Sequence, residues 1–104
     1  MPKQTKLRIK KSGAGVEIMV LVTHPMEAGS EKNGETGQVI PADYIEKMTF
    51  ALNGAVVAEA RMSPGVAQDP LTVIALRQAA AGDRVAVSWR DTRGEGGTTE
   101  KVIH

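Results

Sequence analysis

Enzymatic chemistry near neutral pH needs a base, a nucleophile or a converging set of metal ligands, and this chain of 104 residues supplies few of them. His24 and the terminal His104 are the only histidines. Ser12, Ser30, Ser63 and Ser88 sit in no strand-to-helix elbow that would present a hydroxyl to a base. Cysteine is absent, so there is no thiolate nucleophile, disulfide framework or Cys-based metal site. His24 and Glu27 lie three apart, which is not the spacing of a helical zinc motif, and no metal centre or cofactor is expected. His24 reads instead as a strand-end histidine that ties down a loop. Glu27, Glu31, Glu35 and Asp43 share no fixed spacing that would pair two carboxylates, and they read as solvated. Gly13 and Gly15 precede a strand rather than a helix, so they do not cradle phosphate. The chain is expected to be no enzyme.

The elements that position these residues are read from a hydrophobic period of two. Leu7 and Ile9 alternate with Lys6, Arg8 and Lys10. Residues 16–24, VEIMVLVTH, form the strongest strand candidate. Met48, Phe50 and Leu52 alternate with polar or small residues up to Asn53-Gly54, a hairpin signal because both central residues of a type I′ turn need positive φ. Residues 55–61, 71–77, 85–90 and 98–103 complete about seven strands, and short helical turns fit at 68–70 and 78–81. The expected fold is all-β, an immunoglobulin-like antiparallel β-sandwich, with residues 1–104 as one domain.

Two stretches exceed what a simple sandwich needs. In strand 16–24, Val16, Ile18, Val20 and Val22 face the core, yet Met19 and Leu21 make the opposite face apolar too. Strand 71–76 repeats this, with Leu71 and Val73 on one face and Ile74 and Leu76 on the other. Either the long loop or a partner subunit must cover that second face. The loop is the other stretch. Residues 25–44 run about twenty positions without periodicity, longer than compact domains ordinarily tolerate without a task. Its two ends look anchored, and its middle, Gly29 to Gly37, is polar. Met26 is either a buried anchor of this loop or a side chain offered to a partner.

Composition narrows the partner class. A hydrophobic fraction of 41% and a charged fraction of 24% are those of a folded domain. The formal net charge of +1 gives no electrostatic footprint for nucleic acid. Lys3, Lys6, Arg8, Lys10 and Lys11 open the chain and read as a solvated tail leading into an edge strand protected from pairing. No apolar run approaches the ~20 residues of a membrane span, so no membrane partner is expected. The start MPKQTKLRIKK has no apolar export segment, and by itself it suggests the cytoplasm.

The segments VTHPMEAG (22–29) and TGQVIPADYIEKMTFALNG (36–54) together resemble the SoxZ family, the Z subunits of the Sox sulfur-oxidation carrier complex. Ala28 stands where the family pattern has Thr. Val85-Ala86-Val87-Ser88-Trp89, after Ala81-Gly82-Asp83, is similar to the family's penultimate strand. The resemblance implies an immunoglobulin-type sandwich that pairs with a SoxY-like subunit, whose cysteine carries covalently bound sulfur to the Sox enzymes. It also implies the periplasm, reached by co-export with that partner. On this reading Met19, Leu21, His24, Met26 and Glu27 are the candidate partner-binding residues. A self-associating immunoglobulin-like domain stays open as the alternative, since a patch that accepts one sandwich can accept its own copy, giving a homodimer when the chain is isolated.

Overall fold

A computed structural model describes residues 3–29, 34–63 and 65–104. Its seven strands are β1 (Thr5–Ser12), β2 (Gly15–Val22), β3 (Ile45–Leu52), β4 (Ala55–Arg61), β5 (Leu71–Leu76), β6 (Arg84–Asp91) and β7 (Gly96–Val102). They form two antiparallel sheets, ordered β1-β2-β5 and β4-β3-β6-β7. The expected all-β sandwich is therefore the observed one. Its fourth strand pairs with β3 rather than β5, where a constant-type immunoglobulin domain places it on the first sheet. No helix forms among the described residues, and 68–70 and 78–81, expected to hold helical turns, are bends and turns. None is thus long and apolar enough to cross a membrane.

Alternation sets the layers. Val16, Ile18, Val20 and Val22 of β2 are buried, as are Met48 and Phe50 of β3 and Val85, Val87 and Trp89 of β6. These inward positions make one core, and each large apolar side chain removed from water contributes about 1.5–3 kcal/mol. β1 lies against β7 at one side of the sandwich, where Trp89 Nε1 donates to Thr5 Oγ1 at 2.6 Å across the two sheets. The β3–β4 hairpin turns at Asn53 and Gly54, with φ of 51° and 86°, as a type I′ turn demands. The Asn53 side chain also secures β6: its amide donates to Asp83 and its carbonyl accepts the Arg84 N–H.

The second apolar face persists in the fold. On the outside of the β1-β2-β5 sheet, Leu21 is 36% exposed, Leu71 63% and Val73 49%, with half-buried Met19 beside them. Register aligns Leu21 with Leu71 and Met19 with Val73. Among the described residues no segment covers this patch. The long loop leaves from the end of β2 and is held at that end of the sandwich.

Candidate functional site

The long loop is held by a buried polar centre built from four separate parts of the chain. Thr23 N–H bonds the Gln4 carbonyl, continuing the β1–β2 ladder by one residue. His24 then exchanges bonds with Asp69 in the β4–β5 connection: its N–H donates to Asp69 Oδ1 at 2.9 Å, and its carbonyl accepts the Asp69 N–H at 2.9 Å. Three residues on, Glu27 and Asp43 exchange both backbone bonds, at 2.7 and 2.9 Å, and close the excursion as a loop. Gly29 is in the left-handed region, φ 83°, with its backbone against Ala42; a side chain there would be strained and crowded. The polar middle of the loop falls partly on residues 30–33, outside the described residues.

His24 is the pivot. Its side chain is fully enclosed and packs edge-on against Trp89, with ring centroids 5.6 Å apart. Nδ1 accepts the Met26 N–H at 3.1 Å, which assigns the proton of the neutral ring to Nε2. Nε2 then donates to Asp91 Oδ2 at 2.9 Å. Both ring nitrogens are committed, one to backbone and one to carboxylate. The pair thereby positions the chain, joining the start of the loop to the end of β6.

Asp91, at the end of β6, is the shared acceptor. Oδ2 takes His24 and also Lys3 Nζ at 2.8 Å, while Oδ1 takes the N–H groups of Arg93 and Glu95 at 3.0 and 2.9 Å. Burial alone would raise its pKa, but these four donors hold it at about 2, below the usual 3.8. Lys3 Nζ reaches Asp43 Oδ1 and Glu95 Oε1 as well, each at 2.9 Å. Burial would lower the ammonium's pKa, and the hydrogen bonds to Asp91, Glu95 and Asp43 raise it above its ordinary value instead. One ligand atom from each of His24, Asp43 and Asp91 lies within 4.8 Å of the others, a set that elsewhere takes a divalent cation. In this fold the Lys3 ammonium holds that position.

Met26 completes the anchor. It has φ 51°, is buried, and its Sδ accepts the Ile45 N–H at 3.4 Å. On the return side, Tyr44 and Thr92 bond twice, through Thr92 N–H to the Tyr44 carbonyl and Tyr44 N–H to Thr92 Oγ1. No buried polar side-chain atom among the described residues lacks a partner.

The five candidate residues thus fall at three places in the fold. Met19 and Leu21 lie on the outer apolar face. His24 and Met26 lie inside, where they offer no surface; the expectation that they touch a partner gives way to the anchoring reading, because each spends its polar atoms on the loop's own backbone. Glu27 is half-buried at the loop closure. Two further expectations are corrected. Asp43 is not a freely solvated carboxylate but a half-buried partner of Lys3, and Lys3 belongs to the polar centre rather than to a solvated tail. Lys6, Arg8 and Lys10 do line the exposed face of edge strand β1 as expected. Asp91 and Asp69 were not signalled, since partners 67 and 45 residues away leave no local pattern.

No curated protein matches the chain. Residues 5–102 match the family described as sulphur oxidation protein SoxZ. The match spans all seven strands, the loop and most of the polar centre, and the chain belongs to the SoxZ family of Sox-system sulfur-oxidation proteins.

Proposed function

We propose that this chain is the non-catalytic subunit of a SoxYZ-type carrier, pairing with a cysteine-bearing SoxY-like subunit and helping present its bound sulfur to the Sox enzymes. The observation that carries this reading is the uncovered apolar face formed by Met19, Leu21, Leu71 and Val73. A folded surface with several aligned large apolar side chains is stabilised when another protein removes it from water. The chain contains no cysteine, consistent with the reactive thiol residing in the partner. The closed loop 27–43 is the second element of the reading. Its outer residues, not the interior His24 and Met26, supply a docking surface for the pathway enzymes, with Glu27 at its base. The compartment in this reading is the periplasm, reached folded and in company with the partner.

Co-expression with a SoxY-like subunit and native mass spectrometry test the proposal. A one-to-one complex is expected, with a thiosulfate-sized adduct on the partner and none on this chain. The double substitution Met19→Asp, Leu21→Asp is expected to abolish pairing while the chain stays folded. Recovery of this chain only apart from the SoxY-like subunit would overturn the assignment. Unchanged pairing by the double variant would move the interface off this face.

A further inference from the structure

The outward face of the β1-β2-β5 sheet is apolar along β2 and β5 and cationic along β1. Register fixes its rows: Lys6, Leu21 and Leu71 lie side by side, then Arg8, Met19 and Val73, then Lys10, Glu17 and Ala75. Side chains two residues apart on a strand share a face and stand about 7 Å from each other. Lys6, Arg8 and Lys10 therefore form a column of exposed cations along one border of the apolar strip. None of the three has an ion-pair partner among the described residues. Half-buried Glu17 is the single carboxylate in these rows.

Protection of a sheet edge does not account for this column. β1 lies against β7 and is tied to the other sheet by the Trp89–Thr5 bond, whereas β5, the open edge of the same sheet, has the sequence Leu-Thr-Val-Ile-Ala-Leu and carries no charge. Nor does a second copy offset it. Such a copy brings the same three cations and the same lone carboxylate, and the contact would bury an excess of one sign. A membrane surface fits less well, because Tyr44, Phe50 and Trp89, the chain's only aromatic residues, all lie outside these rows and supply no headgroup anchor.

We infer that the partner covering this face is a protein whose own contact surface is an apolar strip bordered along one edge by carboxylates that meet Lys6, Arg8 and Lys10. The SoxY-like pairing proposed above supplies the partner on which this rests, and the column adds that partner's chemistry and its orientation. Burial of Met19, Leu21, Leu71 and Val73 stabilises the complex. The cations stand at the rim, where opposite charges steer encounter and fix which way round the partner sits more than they slow its departure.

Stopped-flow association with the SoxY-like subunit across a salt series tests this. The rate for the unmodified chain is expected to fall at least about tenfold from low salt to about 1 M, where the Debye length is about 3 Å. Reversing the column, Lys6→Glu with Arg8→Glu and Lys10→Glu, is expected to slow association about tenfold to a hundredfold at low salt, and to match the parent at high salt. The dissociation rate should change by less than about threefold. Lys47→Glu with Arg61→Glu and Arg90→Glu makes the same change in net charge on the outer face of the other sheet, where register sets these three side by side. It is expected to leave the association rate within about threefold of the parent. Association indifferent to salt, or slowed equally by the two triple variants, would overturn the inference and leave the SoxY-like pairing in place. Failure of the unmodified chains to associate would remove that pairing and the inference with it. Co-sedimentation with phosphatidylglycerol vesicles is expected to leave the chain in solution; vesicle binding lost on reversing the β1 column would overturn the inference by giving this face to anionic lipid.

Discussion

The polar centre beneath the loop and the outer face of β2 and β5 are built on opposite principles. In the first, four carboxylates, one imidazole and one ammonium gather at the end of the sandwich, and each finds a partner within the chain. In the second, large apolar side chains and a row of backbone groups find none among the described residues. The polar centre looks like a reactive site when its residues are written down: a buried histidine, two aspartates and a lysine. Its hydrogen bonds show that it is a clamp. The apolar face looks inert and is where the folding of this chain leaves work for another. Where a buried polar cluster spends its donors and acceptors on its own chain, the unsatisfied surface is the better guide to function.

The comparison breaks most readily at Asp91. If the polar centre is structural, removing its shared acceptor strands Lys3, His24 and two backbone N–H groups at once. Asp91→Ala is expected to cost about 3–5 kcal/mol, the range for an uncompensated buried charge. Asp91→Asn keeps the shape and one carbonyl acceptor and should cost less. Urea unfolding followed by tryptophan fluorescence reads this well, because Trp89 packs on His24. A loss below about 1 kcal/mol for the alanine variant would show that the clamp does not hold the fold.

Met26→Ala is the next largest, at about 2–4 kcal/mol, from the cavity it leaves and the Ile45 N–H it deprives of an acceptor. Under the anchoring reading this loss appears in stability, and partner affinity changes only through it. An unchanged unfolding midpoint with weakened docking would return Met26 to the contact residues and blur the division between the two regions.

Acid titration sharpens the same point at about 2 kcal/mol. Asp91 has its folded pKa lowered to about 2 from 3.8, so the stability it supplies is present above pH 3.8 and is lost as pH falls through about 2. Lys3 has a raised folded pKa, so its share is intact below its ordinary 10.5 and is lost only in strong alkali. The two describe one interaction from its two ends and are not to be added. Lys3→Met should flatten the acid limb of the stability curve. An unaltered limb would place the pH dependence in other carboxylates.

What the sequence disclosed follows the same division. Strands and their faces were legible because period-two alternation is local: the inward set Val16, Ile18, Val20 and Val22 and the outward pair Met19 and Leu21 needed no knowledge of distant residues. The Asn53-Gly54 turn was legible because positive φ restricts residue type at that point. The apolar second face was visible for the same local reason. The clamp was not. Lys3, Asp43, Asp69, Asp91 and Glu95 are ordinary surface residue types, and only the closure of β2, β6 and the β4–β5 connection around one point brings them together. A charge belongs to a network through tertiary geometry, and spacing along the chain carries no trace of it. His24 was singled out correctly as a loop tie, yet the residue it is tied to lies 67 positions away.

Leu71→Ser is the smallest expected change in the fold and the most discriminating test of the comparison. Leu71 is 63% exposed on an edge strand, so its removal takes little apolar area out of the core and leaves no cavity. The unfolding free energy of the isolated chain, measured where it is monomeric, should stay within about 0.5 kcal/mol of the parent. Affinity for the SoxY-like subunit should nonetheless fall by about tenfold, as when an apolar interface side chain worth about 1.4 kcal/mol is truncated. Asp91→Ala should show the reverse, a large loss of stability with affinity preserved in whatever fraction remains folded. If Leu71→Ser lowered stability by more than about 1.5 kcal/mol, β5 would be part of what holds the monomer together. The line between a satisfied interior and an unsatisfied interface would then have to be drawn further out.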